Sequence, residues 1–453
     1  MQSVLLRLAN VVALVLVTAI CLAFISPVTA DDSPTVSILY YESLQLIVQQ
    51  PSSGNGITGP ASINEPNNLE FDAYGRRFKL VNDEAPYFNQ YGFEVFTGKL
   101  EGLGDSWFRL LRKDGELSGI INDGNETYLI EPVRRIYDAL VERPANKGSA
   151  NIIFRLADTL VPQGLLACDT LETGVDTSIA NSTSEVNGQI AFAKLSSELE
   201  AASTVDTAGN QPLILEIIGD LFFTAKPGTD AVSRTDDIAA LVNVVQGIYD
   251  NQIGLEIEVA DIKLITPDTD NPFTDTEDGS AFLSELARWR LDNLSGTAIT
   301  HLVTRRSLTG DSGGNIAGTA YLGSVCNDFT GASLSREIDG LTALIIAHEI
   351  GHNLGAPHDG EPPINGAAKF DCESTSITGF IMAPTIASSY DQFSQCSIEK
   401  ITTVINNASC LAPISNSSTG GGGGGGGSLT VTSLAVLSLL AVLRRLRRRP
   451  ILN

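Results

Sequence analysis

Residues 348–359 read His348-Glu349-Ile350-Gly351-His352-Asn353-Leu354-Gly355-Ala356-Pro357-His358-Asp359. No other segment restricts the fold so tightly. His348 and His352 stand at i and i+4, on one helix face about one turn apart. Two imidazoles so placed can hold one Zn²⁺ through ring nitrogens at ~2.0–2.1 Å. Gly355 ends the helix, because a left-handed backbone turn costs glycine little. The reversed chain returns His358 as a third ligand. Three neutral ligands leave one coordination position open for water, the mark of a hydrolytic rather than a structural site. Glu349 follows the first ligand closely enough to act as general base, taking the water's proton and passing it to a leaving amine. The chain has 4 histidines and three stand here, which disfavours a purely structural trio. The fourth, His301, lies in Ile299-Thr300-His301-Leu302-Val303-Thr304 and reads as a sheet residue.

Charge excludes one class of partner. The 453 residues include 53 Asp+Glu against 29 Lys+Arg, a net charge of −24. Six of the cations (Arg7, Arg444, Arg445, Arg447, Arg448 and Arg449) sit at the ends, leaving 23 cations against 53 acids between them. Such a surface repels phosphate, so a nucleic-acid partner is not expected. A hydrophobic fraction of 43% is enough for a real core.

Both ends read as targeting segments. Residues 1–30 carry Arg7, an apolar run from Val11 to Ile25 and the small-residue site Val28-Thr29-Ala30, the pattern of a signal peptide. An uncleaved membrane anchor is the competing reading. Residues 413–428 form a Ser/Gly-rich linker that includes Gly420–Gly427, and residues 429–453 are an apolar helix with an Arg-rich tail. The apolar stretch Leu429–Leu443 is short for a relaxed span of about 20 residues, but flanking arginines can snorkel. The order Gly run, short apolar helix and Arg cluster resembles the GlyGly-CTERM sorting signal of Gram-negative bacteria. That resemblance implies a rhombosortase-like sorting protease as partner and transient membrane association through the tail. It also implies an exported protein of the cell envelope or outer surface, with extracellular release left open. A plain C-terminal anchor is the alternative.

Between the ends, residues 31–207 and 208–412 differ in character. The first part has strand-like runs and tight turns: Trp107–Leu111, the turn Asp114-Gly115, Leu117–Ile121, the turn Asp123-Gly124-Asn125, then Tyr128–Pro132. That is a β-meander. The second part alternates strands and helices. Strands are expected at Leu213–Thr224, Leu255–Ile265, Ala298–Thr304 and Gly318–Ser324. Helices are expected over Asp236–Gln252, Ser280–Asp292 and about Ser335–Leu354. The implied class is α/β (α+β), with a mixed sheet and a long active-site helix behind a mainly β region. The boundary is placed in the polar, small-residue stretch Leu195–Asn210.

Residues 348–358 match the metzincin pattern H-E-x-x-H-x-x-G-x-x-H. Met382, in Gly379-Phe380-Ile381-Met382-Ala383-Pro384, stands where the Met-turn of that clan is expected. With Asp359 after the third histidine, the chain resembles the adamalysin/reprolysin (ADAM-like) branch. The resemblance implies a metzincin catalytic domain over 208–412 and a pro-domain over 31–207. It implies a zinc metalloendopeptidase acting on protein or peptide substrates, with His348, His352 and His358 as ligands and Glu349 as base. Gly355 and Asp359 become structural residues beside the site. Gly318, Thr319, Ala320 and Tyr321 become the sheet-edge strand along which substrate aligns antiparallel. The four cysteines between 326 and 410 suit two disulfides, for which the resemblance suggests Cys326–Cys410 and Cys372–Cys396; other pairings stay open from sequence.

Cys168 is then left over. As a free thiol ahead of the boundary, it is a candidate cysteine switch blocking the open metal position; a buried or otherwise paired cysteine is the competing reading. Some members of the branch bind structural Ca²⁺. Glu216 and the acidic loop Asp268, Asp270, Asp275, Glu277 and Asp278 are the candidates, against a merely solvated loop. Two rival functions remain: a catalytically silent surface-binding protein on a metzincin scaffold, and a zinc hydrolase of non-peptide amides. The intact Glu349 counts against the first.

Overall fold

Strand-like runs alternate with tight turns from Leu69 to Pro132, and the runs become strands. The computed structural model describes residues 36–46, 69–145, 148, 150–162, 167–171, 211–267, 269–293, 296–362, 371–387 and 390–411. The leader, the linker at 195–210 and the tail beyond 412 lie outside the described residues. Two short strands, β1 (Ser37–Ile38) and β11 (Thr159–Leu160), pair with each other. The first large sheet contains β2 (Glu42–Ser43), β3 (Leu69–Ala73), β4 (Arg76–Asn82), β5 (Tyr87–Phe88) and β6 (Glu94–Leu100), followed by β7 (Trp107–Lys113), β8 (Glu116–Asn122), β9 (Thr127–Pro132) and β10 (Asn151–Arg155). Its order is β2-β10-β9-β8-β7-β6-β4-β3, with β5 also on β6. The β7–β8 hairpin turns through Asp114 at φ 52° and Gly115 at φ 85°. Two left-handed residues give a turn whose twist suits the flanking strands, and Asp-Gly is a sequence that tolerates it.

The second sheet is mixed. It contains β12 (Ala167–Leu171), β13 (Leu213–Gly219), β14 (Ile257–Leu264), β15 (Ile299–Thr304), β16 (Leu308–Thr309), β17 (Asn315–Tyr321) and β18 (Ala332–Arg336). Their order is β12-β17-β18-β15-β13-β14, with β16 on β17. Strands β14, β13, β15 and β18 run parallel, and β17 is antiparallel to β18. The described α-helices are α1 (Val133–Ile136), α2 (Leu221–Thr224), α3 (Ala231–Ile253), α4 (Gly279–Asp292), α5 (Thr342–Asn353) and α6 (Gln395–Asn407), and two 3-10 turns, Tyr137–Ala139 and Leu156–Asp158, complete the described elements. The architecture is α/β with a mixed sheet, preceded by a mainly β region.

The largest departures from the sequence expectation fall at three element boundaries, and the strand expected over Gly318–Ser324 is shifted to Asn315–Tyr321. Strand β13 stops at Gly219, because Asp220 caps α2 by accepting from Phe223 N. Helix α3 starts at Ala231 on an Asp230 cap, not at Asp236. Asp236 and Asp237 serve other partners, Lys113 for the first and Arg134, Arg135 and Arg234 for the second. The expected helix from Ser335 is a strand up to Arg336, and helix only from Thr342. The residues of β18 are all buried, and Gly340 at φ 80° interrupts the chain before α5.

The two large sheets share a core. Trp107, Ile120 and Leu129 of the first sheet belong to the same buried cluster as Val242, Val245 and Ile248 of α3 and Leu344 and Ile345 of α5. Trp107 fits because Gly247 has no side chain: a Cβ there would lie 2.9 Å from the indole. Asp237 joins the halves electrostatically. Burial alone would push its carboxyl up, but the guanidiniums of Arg135, Arg134 and Arg234 outweigh it and hold Asp237 below the usual carboxylate range. No helix among the described residues is long and apolar enough to cross a membrane.

Candidate metal centre

Helix α5 carries the first two histidines, and its end carries the third. The helix closes with Gly355 at φ 88°. Gly355 N donates to His352 O at 2.8 Å and Ala356 N to Gly351 O at 2.9 Å. This paired closure satisfies the last carbonyls and turns the chain back. His348, His352 and His358 are all buried. Their ring centroids lie 4.5, 4.8 and 5.3 Å apart, and one nitrogen from each falls within 4.8 Å of the other two.

The hydrogen bonds define which nitrogen faces inward. His348 Nδ1 donates to Ile381 O at 2.6 Å, and His352 Nδ1 donates to Ala356 O at 2.7 Å. A carbonyl can only accept, so each ring is a neutral imidazole with its lone pair on Nε2. Those two Nε2 atoms are 2.9 Å apart. Two lone pairs at that distance cannot bond each other; they want a shared cation. His358 Nε2 is also buried without a partner, as are both carboxylate oxygens of Glu349. Such orphans in a native core call for an explanation. The donor set (three imidazole nitrogens and a nearby carboxylate) fits Zn²⁺.

Burial and the neighbouring His358 hold His348 down at about 3, and burial holds His352 well below its ordinary value. Both stay neutral and available to a metal. Burial pushes Glu349 well up. Glu349 lies against β17 at Gly318, where a Cβ would come 2.5 Å from its Oε1.

The turn at Met382 underlies the trio. Met382 is buried, and a Cβ on Gly351 would meet its sulfur at 2.6 Å. Asp359 N donates to Met382 O at 2.8 Å, while Asp359 Oδ1 accepts from Ser394 Oγ at 2.7 Å and Ser397 Oγ at 3.1 Å. The third ligand is thereby tied to the turn and to α6. Cys326 is bonded to Cys410 and Cys372 to Cys396. The second bridge lies beside this assembly, since Gly360 N donates to Cys372 O at 2.9 Å.

Gly318–Tyr321 are not at a sheet edge. Strand β12 pairs parallel with them, placing Cys168 opposite Gly318 and Leu171 opposite Tyr321. Cys168 N also donates to Pro384 O, just past Met382, at 3.3 Å. The free, half-buried thiol sits in one group with His348 and Glu349, with ligand atoms within 4.8 Å. Desolvation, reinforced by the charge of Glu349, pushes this thiol well up.

Other sequence candidates lie apart. His301 is fully buried between Ser333 Oγ at 2.8 Å and Ser335 Oγ at 2.9 Å. Glu216 is engaged by Lys263 Nζ and by Thr300 Oγ1 at 3.1 Å, so a cation from the chain itself already answers it. The described acidic-loop residues form no cation group with three converging ligands, and Asp268 lies outside the described residues. Two contacts were invisible in the pattern. Asn353 Nδ2 donates to Tyr321 O, Ser324 Oγ and Ala332 O at 2.9–3.0 Å, binding α5 to the sheet. Glu361 meets His358; its only sequence signal was a spacing of three.

Residues 235–359 match the family model described as Metallo-peptidase family M12B Reprolysin-like. The chain is similar to "A disintegrin and metalloproteinase with thrombospondin motifs 2" of Bos taurus, 26% identical over 332 residues, covering 70% of this chain and 26% of that protein. It is 27% identical over 342 residues to "A disintegrin and metalloproteinase with thrombospondin motifs 1" of Bombyx mori, covering 72% and 32% respectively. The chain thus spans about a quarter to a third of the length of these two relatives. These similarities support the adamalysin/reprolysin branch.

Proposed function

We propose that the chain is a zinc-dependent metalloendopeptidase, made with a pro-region that blocks its own site. The observation that carries this is the convergence of three buried imidazole nitrogens beside the buried carboxylate of Glu349. His348, His352 and His358 hold the metal. Zinc, when bound, supplies Lewis acidity that acidifies water and polarises a carbonyl. Glu349 accepts a proton from the attacking water on a carboxylate oxygen and returns it to the leaving nitrogen. Strand β17 aligns an extended peptide by backbone pairing once β12 has left. Met382 and Asp359 keep the ligand cradle in place from below.

Cys168 is assigned the latch. Its thiol shares a group with His348 and Glu349, and its strand fills the edge a substrate needs. Its direction, parallel to β17, is opposite to that expected of a substrate. Residues 31–207 then act as pro-region and 208–412 as catalytic region. Residues 1–30 direct export, and the segments 413–428 and 429–453 form the sorting tail for a rhombosortase-like protease at a Gram-negative envelope. The two disulfides suit such an oxidising location. A silent binding scaffold would have no need of Glu349 beside three free imidazole nitrogens, which disfavours that reading.

The test is digestion of a peptide library by the purified chain, before and after limited proteolysis, with and without a chelator. Removal of β12 by limited proteolysis is expected to start cleavage, and Cys168→Ala is expected to need less proteolysis than wild type to reach the same rate. Glu349→Gln is expected to lose about 10²- to 10⁴-fold in rate. Cleavage that survives both the chelator and Glu349→Gln refutes the reading.

A further inference from the structure

Each metal-facing imidazole needs something to hold its other nitrogen. For His348 and His352 that partner is a backbone carbonyl, Ile381 O in the Met382 turn and Ala356 O at the helix end. Both carbonyls are held by the fold. His358 differs. Its Nδ1 pairs at 2.9 Å with Glu361 Oε2, a carboxylate three residues on. The two side chains differ in exposure, at 6% for His358 and 49% for Glu361. Inward, His358 Nε2 is buried and partnerless.

We propose that Glu361 is a positioning residue that sets the tautomer and ring orientation of His358, so that zinc retention depends on a surface carboxylate. The proposal rests on the zinc reading above. A carboxylate is a stronger acceptor than a carbonyl and makes the imidazole a better electron donor. Without it, Nδ1 faces solvent. Nothing then distinguishes one ring nitrogen from the other, and the ring is free to turn about its Cβ–Cγ bond. Of the three ligands, His358 alone has its orientation maintained by a side chain, and it is the one whose loosening the chain can least correct.

The experiment measures zinc release from the zinc-loaded full chain into excess chelator by stopped flow. It compares wild type, Glu361→Ala, Glu361→Gln and the exposed charge control Glu373→Ala. Glu361→Ala is expected to release zinc about 10- to 100-fold faster. Glu361→Gln keeps an acceptor but no charge and should fall between, and the control should match wild type. A second readout needs no metal: in the zinc-free chain, ¹⁵N NMR should show His358 protonated on Nδ1 in wild type and mixed between nitrogens in Glu361→Ala. Release within twofold of wild type, or an unchanged tautomer, overturns the proposal while leaving the zinc site standing. A wild-type chain that takes up no zinc overturns the zinc reading and this proposal together.

Discussion

His301 and His348 are both fully buried and both held at about 3, yet their surroundings give them different work. His301 has a serine hydroxyl on each ring nitrogen. His348 has one carbonyl and one empty-handed nitrogen. The first arrangement is complete and structural; the second awaits a ligand. The i, i+4, i+10 spacing revealed the trio because every term in it is local. Glu361 was hidden, because a spacing of three acquires meaning only once Gly355 has turned the chain. His301 supplies a stability prediction. Its folded value of about 3 is below the ordinary 6.5, so the unfolded chain binds the extra proton. Its contribution is complete above pH 6.5 and is lost as pH falls toward 3. Denaturant titrations of wild type and His301→Gln from pH 7 to 4 should differ in slope by up to one proton, about 1.4 kcal/mol per pH unit. Equal slopes would contradict the assignment.

At the scale of elements, the active-site helix and strand β17 are fitted by missing side chains. Gly318 clears room for Glu349, and Gly351 for Met382. Both glycines were present in the motifs, but a glycine in sequence does not disclose what approaches it. Gly318→Ala places a methyl group 2.5 Å from Glu349 Oε1. The carboxylate is the part that can give way. The expected result is a loss of about 10²-fold in peptide cleavage with zinc content unchanged, the cost of a ~1 Å misplacement. Undiminished cleavage would mean that Glu349 works from elsewhere. Strand β18 escaped the sequence reading because Ala332–Arg336 is short and carries the polar residues Ser333, Ser335 and Arg336, although all of it is buried; Gly340 marks the break before α5. Strand β12 escaped too, since pairing across more than 140 residues leaves no local trace.

Across the whole molecule, the mainly β region and the mixed sheet are joined by one core and by the charges around Asp237. The division near 207 follows a change in sequence character, and no such division runs through the packing. Arg135, 9% exposed, donates to Asp237 at 2.7 Å and pairs with Glu131 at 3.1 Å. Removing one member of a buried network leaves its partner unanswered, at a cost of about 3–5 kcal/mol. Arg135→Ala should lower unfolding stability by that amount, measured by denaturant titration, and the two regions should unfold in a single transition. A change under about 1 kcal/mol, or two separate transitions, would show the regions to be independent.

Everything chemical depends on three nitrogens sharing one ion. The most direct measurement is metal content per folded chain, by mass spectrometry under non-denaturing conditions, for wild type and for His352→Ala. One zinc per wild-type chain, and loss of most of it in the variant at equal folding, is the predicted result. A folded wild type without zinc, or a variant that binds it as tightly, would contradict the account.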